Sequence, residues 1–355
     1  MLPQRPAYRL IDLLKIVAAQ CIVLHHFALY GPLSDATAQA APELAAWFYD
    51  YARMAVQVFL VVAGYLAARS LGQTDWNRQG LLRTLWQRYE RLVLPFAAAL
   101  LITMLCSALA RPHLDGDLVP ASPQLGQWLA HASLLHSVLG VDSLSAGVWY
   151  VAIDFQLYAL MALLLWLSRG NRWVAGALVA AMAVASLTWF NLDADYDVWA
   201  LYFFGAYGLG ALAWWAGLRA RHSGYVLALY LGTVSVGLGA LALEFRERIA
   251  LAMGVSTVLA SFGSTPLHLP RRVDAWVRRL SNSSYALFLV HFSVLLLANA
   301  LWAVLDIADA DWALPFTASA WSLSLLASYA FHTQVELRIA QWRNGSAALP
   351  AQAAK

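Results

Sequence analysis

The feature that most narrows what this chain can fold into is a ladder of apolar runs, at roughly residues 10–30, 48–70, 90–110, 147–168, 173–191, 198–217, 224–243, 248–266, 282–305 and 312–334. Each run approaches the roughly 20 residues that an α-helix needs to cross the hydrocarbon core of a bilayer. Backbone polar groups in lipid must be satisfied internally, which leaves helices or closed barrels, and runs of this length read as helices. The expected fold class is therefore all-α: a polytopic membrane protein with about ten transmembrane helices. Composition supports this, with 61% hydrophobic and only 12% charged residues and 16 Trp among the 355.

The charges between the runs test the count, because Lys and Arg collect on the cytoplasmic side of every second connection. Arg5 and Arg9 precede the first run, and Arg69, Arg78, Arg83, Arg88 and Arg91 lie between the second and third. Arg169 and Arg172, then Arg219 and Arg221, then Arg271, Arg272, Arg278 and Arg279, and finally Arg338, Arg343 and Lys355 follow at alternate positions. The intervening loops carry Asp35, Glu43, Asp50, Asp115, Asp117, Asp142, Asp193, Asp195, Asp197, Asp306, Asp309 and Asp311, with one mixed loop at residues 244–248. Both termini are expected in the cytoplasm, and the first apolar run is expected to be a retained helix because no small-residue cleavage site follows it. One domain is expected over residues 1–336, followed by a disordered cytoplasmic tail at 337–355.

A net charge of +3 gives no argument for nucleic acid. Cys21 and Cys106 each sit inside an apolar run, so neither a disulfide framework nor a metal site is expected. Residues 121–145, with Pro120 and Pro123 nearby and Trp128, His131 and His136 within, are too interrupted to span and read as an interfacial or re-entrant segment on the outer side.

Chemistry is concentrated in a few ionisable groups inside the apolar runs. Each costs roughly 2.5 to 3.5 kcal/mol to insert, so such residues face a partner or a water-filled cavity. In LIDLLKIVAAQCIVLHHFALY, the eleven-residue step from Lys15 to His26 is about three turns, which places both on one stripe about 16 Å apart. Asp12 falls near that stripe and His25 points away from it. His26 is expected roughly 24 Å up the first helix, and Asp154, in VWYVAIDFQLY on a helix running the other way, at a similar depth. A carboxylate beside a histidine fixes its tautomer and stabilises the imidazolium it forms on taking a proton from a hydroxyl. Whether the two helices touch is left open by the sequence.

In RTLWQRYERLVLP, Arg88 and Arg91 share one helical face as the third helix enters the membrane. Such a pair suits phosphate oxygens, and it equally satisfies the positive-inside rule by meeting lipid headgroups. His291, on the ninth run, is expected near the midplane. An interhelical hydrogen bond is its structural reading, and the same holds for Gln57, Gln156 and Asn299. His332 and Glu336, one turn apart, read as a local pair.

Taken together, these segments resemble acyltransferase family 3, the integral-membrane enzymes that acylate cell-surface sugars. YRLIDLLKIVAAQCIVLHHF is similar to the family's first helix, with Lys15 where Arg is usual and His26 as the essential histidine. VQVFLVVAGYLAARSL carries Phe59, Leu60, Gly64 and Tyr65 of its second-helix pattern. Arg88, Arg91 and Pro95 match its Arg-x-x-Arg element, WYVAIDFQLY its acidic segment with Asp154 where many members have Glu, and SNSSYALFLVHFSVL its late histidine helix. The resemblance implies transfer of an acyl group, expected to be acetyl, from cytoplasmic acyl-CoA to a hydroxyl of a cell-envelope or lipid-linked glycan. His26 would be the catalytic base oriented by Asp154. Lys15, Arg88, Arg91 and His291 would hold the acetyl-CoA or other acyl-CoA donor, with no metal. The implied location is the bacterial cytoplasmic membrane among membrane lipid, with a separate periplasmic partner protein as one way to complete transfer. From the residues alone, a secondary transporter or a flippase-like carrier without acyl-transfer chemistry stays open, as does a non-catalytic scaffold. The absence of a repeated half or of paired broken helices weighs against a transporter.

Overall fold

A computed structural model describes residues 8–72, 74–217, 224–307 and 309–347. Arg5, Arg219, Arg221 and Lys355, which entered the charge alternation, lie outside these residues. The described chain is helical throughout and contains no strand. In order the helices are α1 (Arg9–Leu29), α2 (Pro32–Ala40), α3 (Pro42–Asp50), α4 (Val56–Leu71), α5 (Arg78–Ala110), α6 (Leu125–Ala132), α7 (Trp149–Leu167), α8 (Arg172–Thr188), α9 (Ala200–Gly217), α10 (Gly224–Leu243), α11 (Glu247–Phe262), α12 (Arg271–Asn282), α13 (Ser284–Leu305), α14 (Ala313–Phe331) and α15 (Leu337–Ala347).

Every one of the apolar runs contains a helix. Among the described residues, seven helical stretches are long and apolar enough to cross a membrane: Arg9–Leu29, Pro42–Leu71, Arg78–His113, Trp149–Leu167, Arg172–Leu192, Gly224–Leu243 and Ser284–Leu305. The helices of the other three runs are shorter or diluted. The sixteen residues of α11 make it short, Gly and aromatic residues interrupt α9, and Ser and Thr interrupt α14. Leu101, Leu105 and Leu109 on α5, and Leu227, Leu231 and Leu238 on α10, are exposed. Two apolar stripes of this kind turned away from the protein interior are surface made for acyl chains rather than water.

The chain divides into two compact units. The first comprises residues 1–18, 54–89 and 149–277, and the second residues 19–53, 90–148 and 278–355. In the first, α9 is the central helix and packs against α4, α7, α8, α10 and α11. Small residues make this possible. A Cβ on Gly64 of α4 would lie 1.9 Å from the Tyr207 carbonyl oxygen, and one on Gly210 of α9 would lie 1.9 Å from that of Val61. The two backbones touch through reciprocal glycines, the close approach that helix pairs in lipid use in place of a hydrophobic driving force. This is the physical reason for Gly64 in the Phe-Leu-x-x-x-Gly-Tyr pattern.

In the second unit, α13 packs against α14 and α2. Asn299 of α13 donates to the Tyr30 carbonyl and accepts from the Leu33 amide, tying together the end of α1 and the start of α2. Such a bond satisfies backbone groups that a helix end leaves open. The tail expected to be disordered from residue 337 is instead helical through Ala347, and Arg343 of α15 pairs with Glu90 at 3.3 Å. That ion pair and the continuous helix supply the ordering that its Ala-rich composition concealed, and residues 348–355 lie outside those described.

Candidate active site

Among the described residues, two buried polar groupings, one in each unit, contain residues expected at the site. In the second unit His26, in the last turn of α1, places Nδ1 2.6 Å from Nε2 of His291, in the second turn of α13. The two ring planes are 8° apart with centroids 5.0 Å apart. The centroid separation exceeds the N···N distance by about one ring width, so the imidazoles meet edge to edge in a common plane. His291 Nδ1 lies 2.9 Å from the Leu287 carbonyl oxygen.

This chain of contacts fixes the protons. A carbonyl oxygen can only accept, so His291 carries its hydrogen on Nδ1 and presents a lone pair at Nε2. His26 must then donate from Nδ1, which leaves the lone pair of neutral His26 on Nε2. Both rings are buried, at 8% exposure for His26 and 0% for His291. Gly147, just before α7, adopts φ +74°, and a Cβ there would sit 3.3 Å from His26 Cε1 and 3.4 Å from the Phe288 ring. Glycine thus meets two demands at this position, a left-handed backbone and room for the imidazole.

In the first unit Asp154 of α7 receives a hydrogen bond from Arg88 Nη2 of α5 at 2.5 Å. The guanidinium also lies 4.8 Å from the centre of the Tyr158 ring, and Tyr207 of α9 is within electrostatic reach of both charges. Arg88 Nε and the Tyr207 hydroxyl are buried and have no hydrogen-bond partner among the described residues. The charge of Arg88 is therefore already balanced by a carboxylate, while two of its neighbourhood's hydrogen-bonding positions are unspent.

The remaining expected residues are placed separately. Lys15 of α1 is half-buried in the first unit, and Arg91, three residues beyond Arg88 on α5, is exposed. His25 turns from the His26 contact and bonds the Phe48 carbonyl through Nδ1 at 3.1 Å. Gln156 spans from α7 to the Val198 carbonyl and the Ala200 amide, a structural interhelical bond as its type suggested. His332 and Glu336 meet at 2.5 Å inside a π-helical turn. Among the described residues no group of three or more His, Cys, Asp or Glu could hold a metal ion.

Sequence reasoning named His26, His291, Arg88 and Asp154 but coupled them differently. It set Asp154 against His26, whereas the partner found for His26 is His291 and the partner found for Asp154 is Arg88. It placed His291 near the midplane, well below His26, by counting residues up from the start of its helix as if that start lay at the inner edge of the membrane. The helix α13 starts at Ser284, directly after α12, and its second turn is already level with the last turn of α1. Tyr207 and Gly147 were not singled out at all. Tyr207 has no motif of its own, while Gly147 directly before an aromatic run was a turn signal that could have been read.

Ionisable side chains paired off among helices long and apolar enough to cross a membrane fit an integral-membrane protein. The chain belongs to acyltransferase family 3, whose acyltransferase domain model matches residues 8–332, nearly its whole length. No curated protein and no solved structure matches it. It is a membrane acyltransferase.

Proposed function

We propose that the protein is an O-acyltransferase that moves an acetyl group from acyl-CoA, supplied on the cytoplasmic side, to a hydroxyl of a cell-envelope or lipid-linked sugar, with His26 as the general base. The observation that carries this reading is the one-way hydrogen-bond chain from His26 Nδ1 through His291 to the Leu287 carbonyl. It holds the imidazole in the tautomer whose Nε2 can accept a proton. In the step itself the acceptor O–H gives its proton to His26 Nε2 and its oxygen attacks the thioester carbonyl. The tetrahedral adduct then collapses, the C–S bond breaks, and the proton passes from His26 to the leaving CoA thiolate.

His291 here is a positioning residue rather than a donor ligand, since both of its ring nitrogens are engaged. It sets the tautomer as the carboxylate of a Ser-His-Asp triad does, but without a negative charge. Arg88, already neutralised by Asp154, suits a neutral hydrogen-bond acceptor in the first unit better than a phosphate. The Tyr207 hydroxyl beside it, with no hydrogen-bond partner among the described residues, offers a second donor to the same acceptor. Lys15 and the exposed Arg91 carry the charge that suits the CoA phosphates, which Arg can grip in bidentate fashion. The envelope location follows from this acceptor class.

The test needs no knowledge of the acceptor. A ligand that binds only the native state stabilises it by about 2.7 kcal/mol at a hundred times its dissociation constant. Acetyl-CoA should raise the melting temperature of the detergent-purified wild type and of His26→Ala alike, and raise that of Arg91→Ala less. No shift with any CoA species in well-folded wild type would overturn the donor assignment.

A further inference from the structure

The segment between α5 and α7 belongs wholly to the second unit and ends on Gly147, the residue packed against His26. Its helix α6 exposes Leu125 and Leu129, and the turns after it expose Leu135 and Leu139. The opposite side of α6 does something specific. Gln127 and His131, one turn apart, both reach the stretch that leads to Gly147: Gln127 Nε2 donates to the Asp142 carbonyl at 2.8 Å, and His131 Nε2 accepts from the Leu144 amide at 3.1 Å. His131 Nδ1 lies 2.8 Å from the Gln127 carbonyl, which can only accept, so the hydrogen is on Nδ1 and Nε2 holds the lone pair that Leu144 needs.

A second histidine completes the arrangement. Leu134 adopts φ +60°, a left-handed turn that branched side chains seldom take, and the chain doubles back so that the His136 ring lies flat on His131 with centroids 4.2 Å apart and planes 7° apart. Both rings are fully buried, and neither nitrogen of His136 has a hydrogen-bond partner among the described residues. Phe96 of α5 closes the far side at 6.4 Å. The groups facing His131 are thus the Phe96 ring, the His136 ring, the Gln127 carbonyl and the Leu144 amide, and of these His136 alone titrates.

We infer that His131 is a positioning residue, the catch of a latch that presses residues 144–147 onto His26 and holds its imidazole in place while shielding it. Leu144, Ser145 and Ala146 are buried between the catch and Gly147, so displacement at Leu144 is transmitted along three residues to the His26 ring. The catch works only while His131 is neutral, because a proton on Nε2 removes the acceptor for Leu144 and places a cation beneath His136. The significance of the latch rests on reading His26 as the base. Its existence does not, because the experiment reads the accessibility of the ring and not turnover.

Two variants separate the hydrogen bond from the packing. His131→Phe keeps a ring for the His136 stack and loses the acceptor, whereas His131→Gln can return an oxygen to the position of Nε2. In the detergent-purified full chain, His131→Phe should speed amide exchange in the 141–148 peptide and carbethoxylation of His26 by diethyl pyrocarbonate, each by about fivefold, the fold-change of one ordinary hydrogen bond. His131→Gln should bring both rates back toward wild type. Unchanged rates in His131→Phe, or equal acceleration in both variants, would overturn the inference. Should His131→Phe fail to fold, the wild type carries the test alone: lowering the pH from neutral into the acid range should accelerate exchange in 141–148 beyond its intrinsic pH dependence, and a flat corrected rate would overturn it. Full activity in His26→Ala would remove the reading of His26 as base while leaving these rates to decide the latch.

Discussion

The two units bury polar chemistry in opposite ways. The first holds a full positive and a full negative charge against each other, Arg88 on Asp154, with Tyr158 and Tyr207 beside them. The second holds two neutral imidazoles, His26 and His291, whose protons are ordered by a backbone carbonyl. An ion pair in a low-dielectric interior is fixed by electrostatics and is costly to break on one side only. A neutral hydrogen-bond chain stores little charge, so its members stay free to gain and lose a proton. The first arrangement suits binding and polarising, and the second suits proton transfer.

The largest effect should come from the neutral pair. His26→Ala should lower acyl transfer by about 10² to 10⁴, the ordinary worth of a general base, measured as acylated glycan in cells or as CoA release by purified protein. His291→Phe should lose a comparable share while His291→Gln, which can still accept from His26, retains more of it. Equal losses in the two would break the tautomer argument.

Next come the charges. Asp154→Asn or Arg88→Met alone should destabilise the protein by about 3 to 5 kcal/mol, because each leaves a buried charge without its partner. The double variant should be less destabilised than either single, as read from thermal unfolding in detergent. Additive losses would show that the pair is not coupled. Removing the Tyr207 hydroxyl, as Tyr207→Phe, should leave stability nearly unchanged, since that hydroxyl has no partner within the protein to lose. Its effect belongs in the transfer rate.

Smaller still is a pH effect confined to the second unit. Burial lowers the pKa of His131, and burial together with its neighbour His131 lowers that of His136 to about 4. As pH falls, the unfolded chain therefore takes up protons before the folded one. The stability these rings contribute should be complete above their ordinary value of about 6.5, decline between there and about 4, and change no further below. Thermal melts of wild type beside His136→Phe should show the decline in wild type and a shallower slope in the variant. Arg91→Ala should do least, within about 0.5 kcal/mol of wild-type stability as befits an exposed side chain.

Much of the fold could be read from the sequence because bilayer insertion imposes a strong one-dimensional signal. Every apolar run is a helix, and a patterned run needs no knowledge of its neighbours. The candidate site was legible in part for the same reason: His26, Asp154 and His291 stand out as ionisable groups in apolar surroundings, whereas Arg88 was one of several charges at a helix entrance. Their pairing was not. His26 and His291 are 265 positions apart, and helical periodicity says which face a residue occupies without saying which helix meets it. Depth could have substituted for contact only if the sequence said how deep in the membrane each helix begins, which apolar periodicity does not. Tyr207 and Gly147 act through their immediate surroundings, which exist only in three dimensions.

The distance along the chain between His26 and His291 also has a consequence for biogenesis. At about 5 to 20 residues per second, on the order of ten to fifty seconds of synthesis separate the emergence of the two histidines. Throughout that interval α1 sits in the translocation machinery or the bilayer without the imidazole of His291 beside His26. Any product terminated before α13 keeps it so. The hydrogen bond between His26 and His291 is therefore a late-formed contact, and a quality-control protease that recognises unsatisfied polar groups in a membrane helix would find in α1 a report of whether synthesis reached α13.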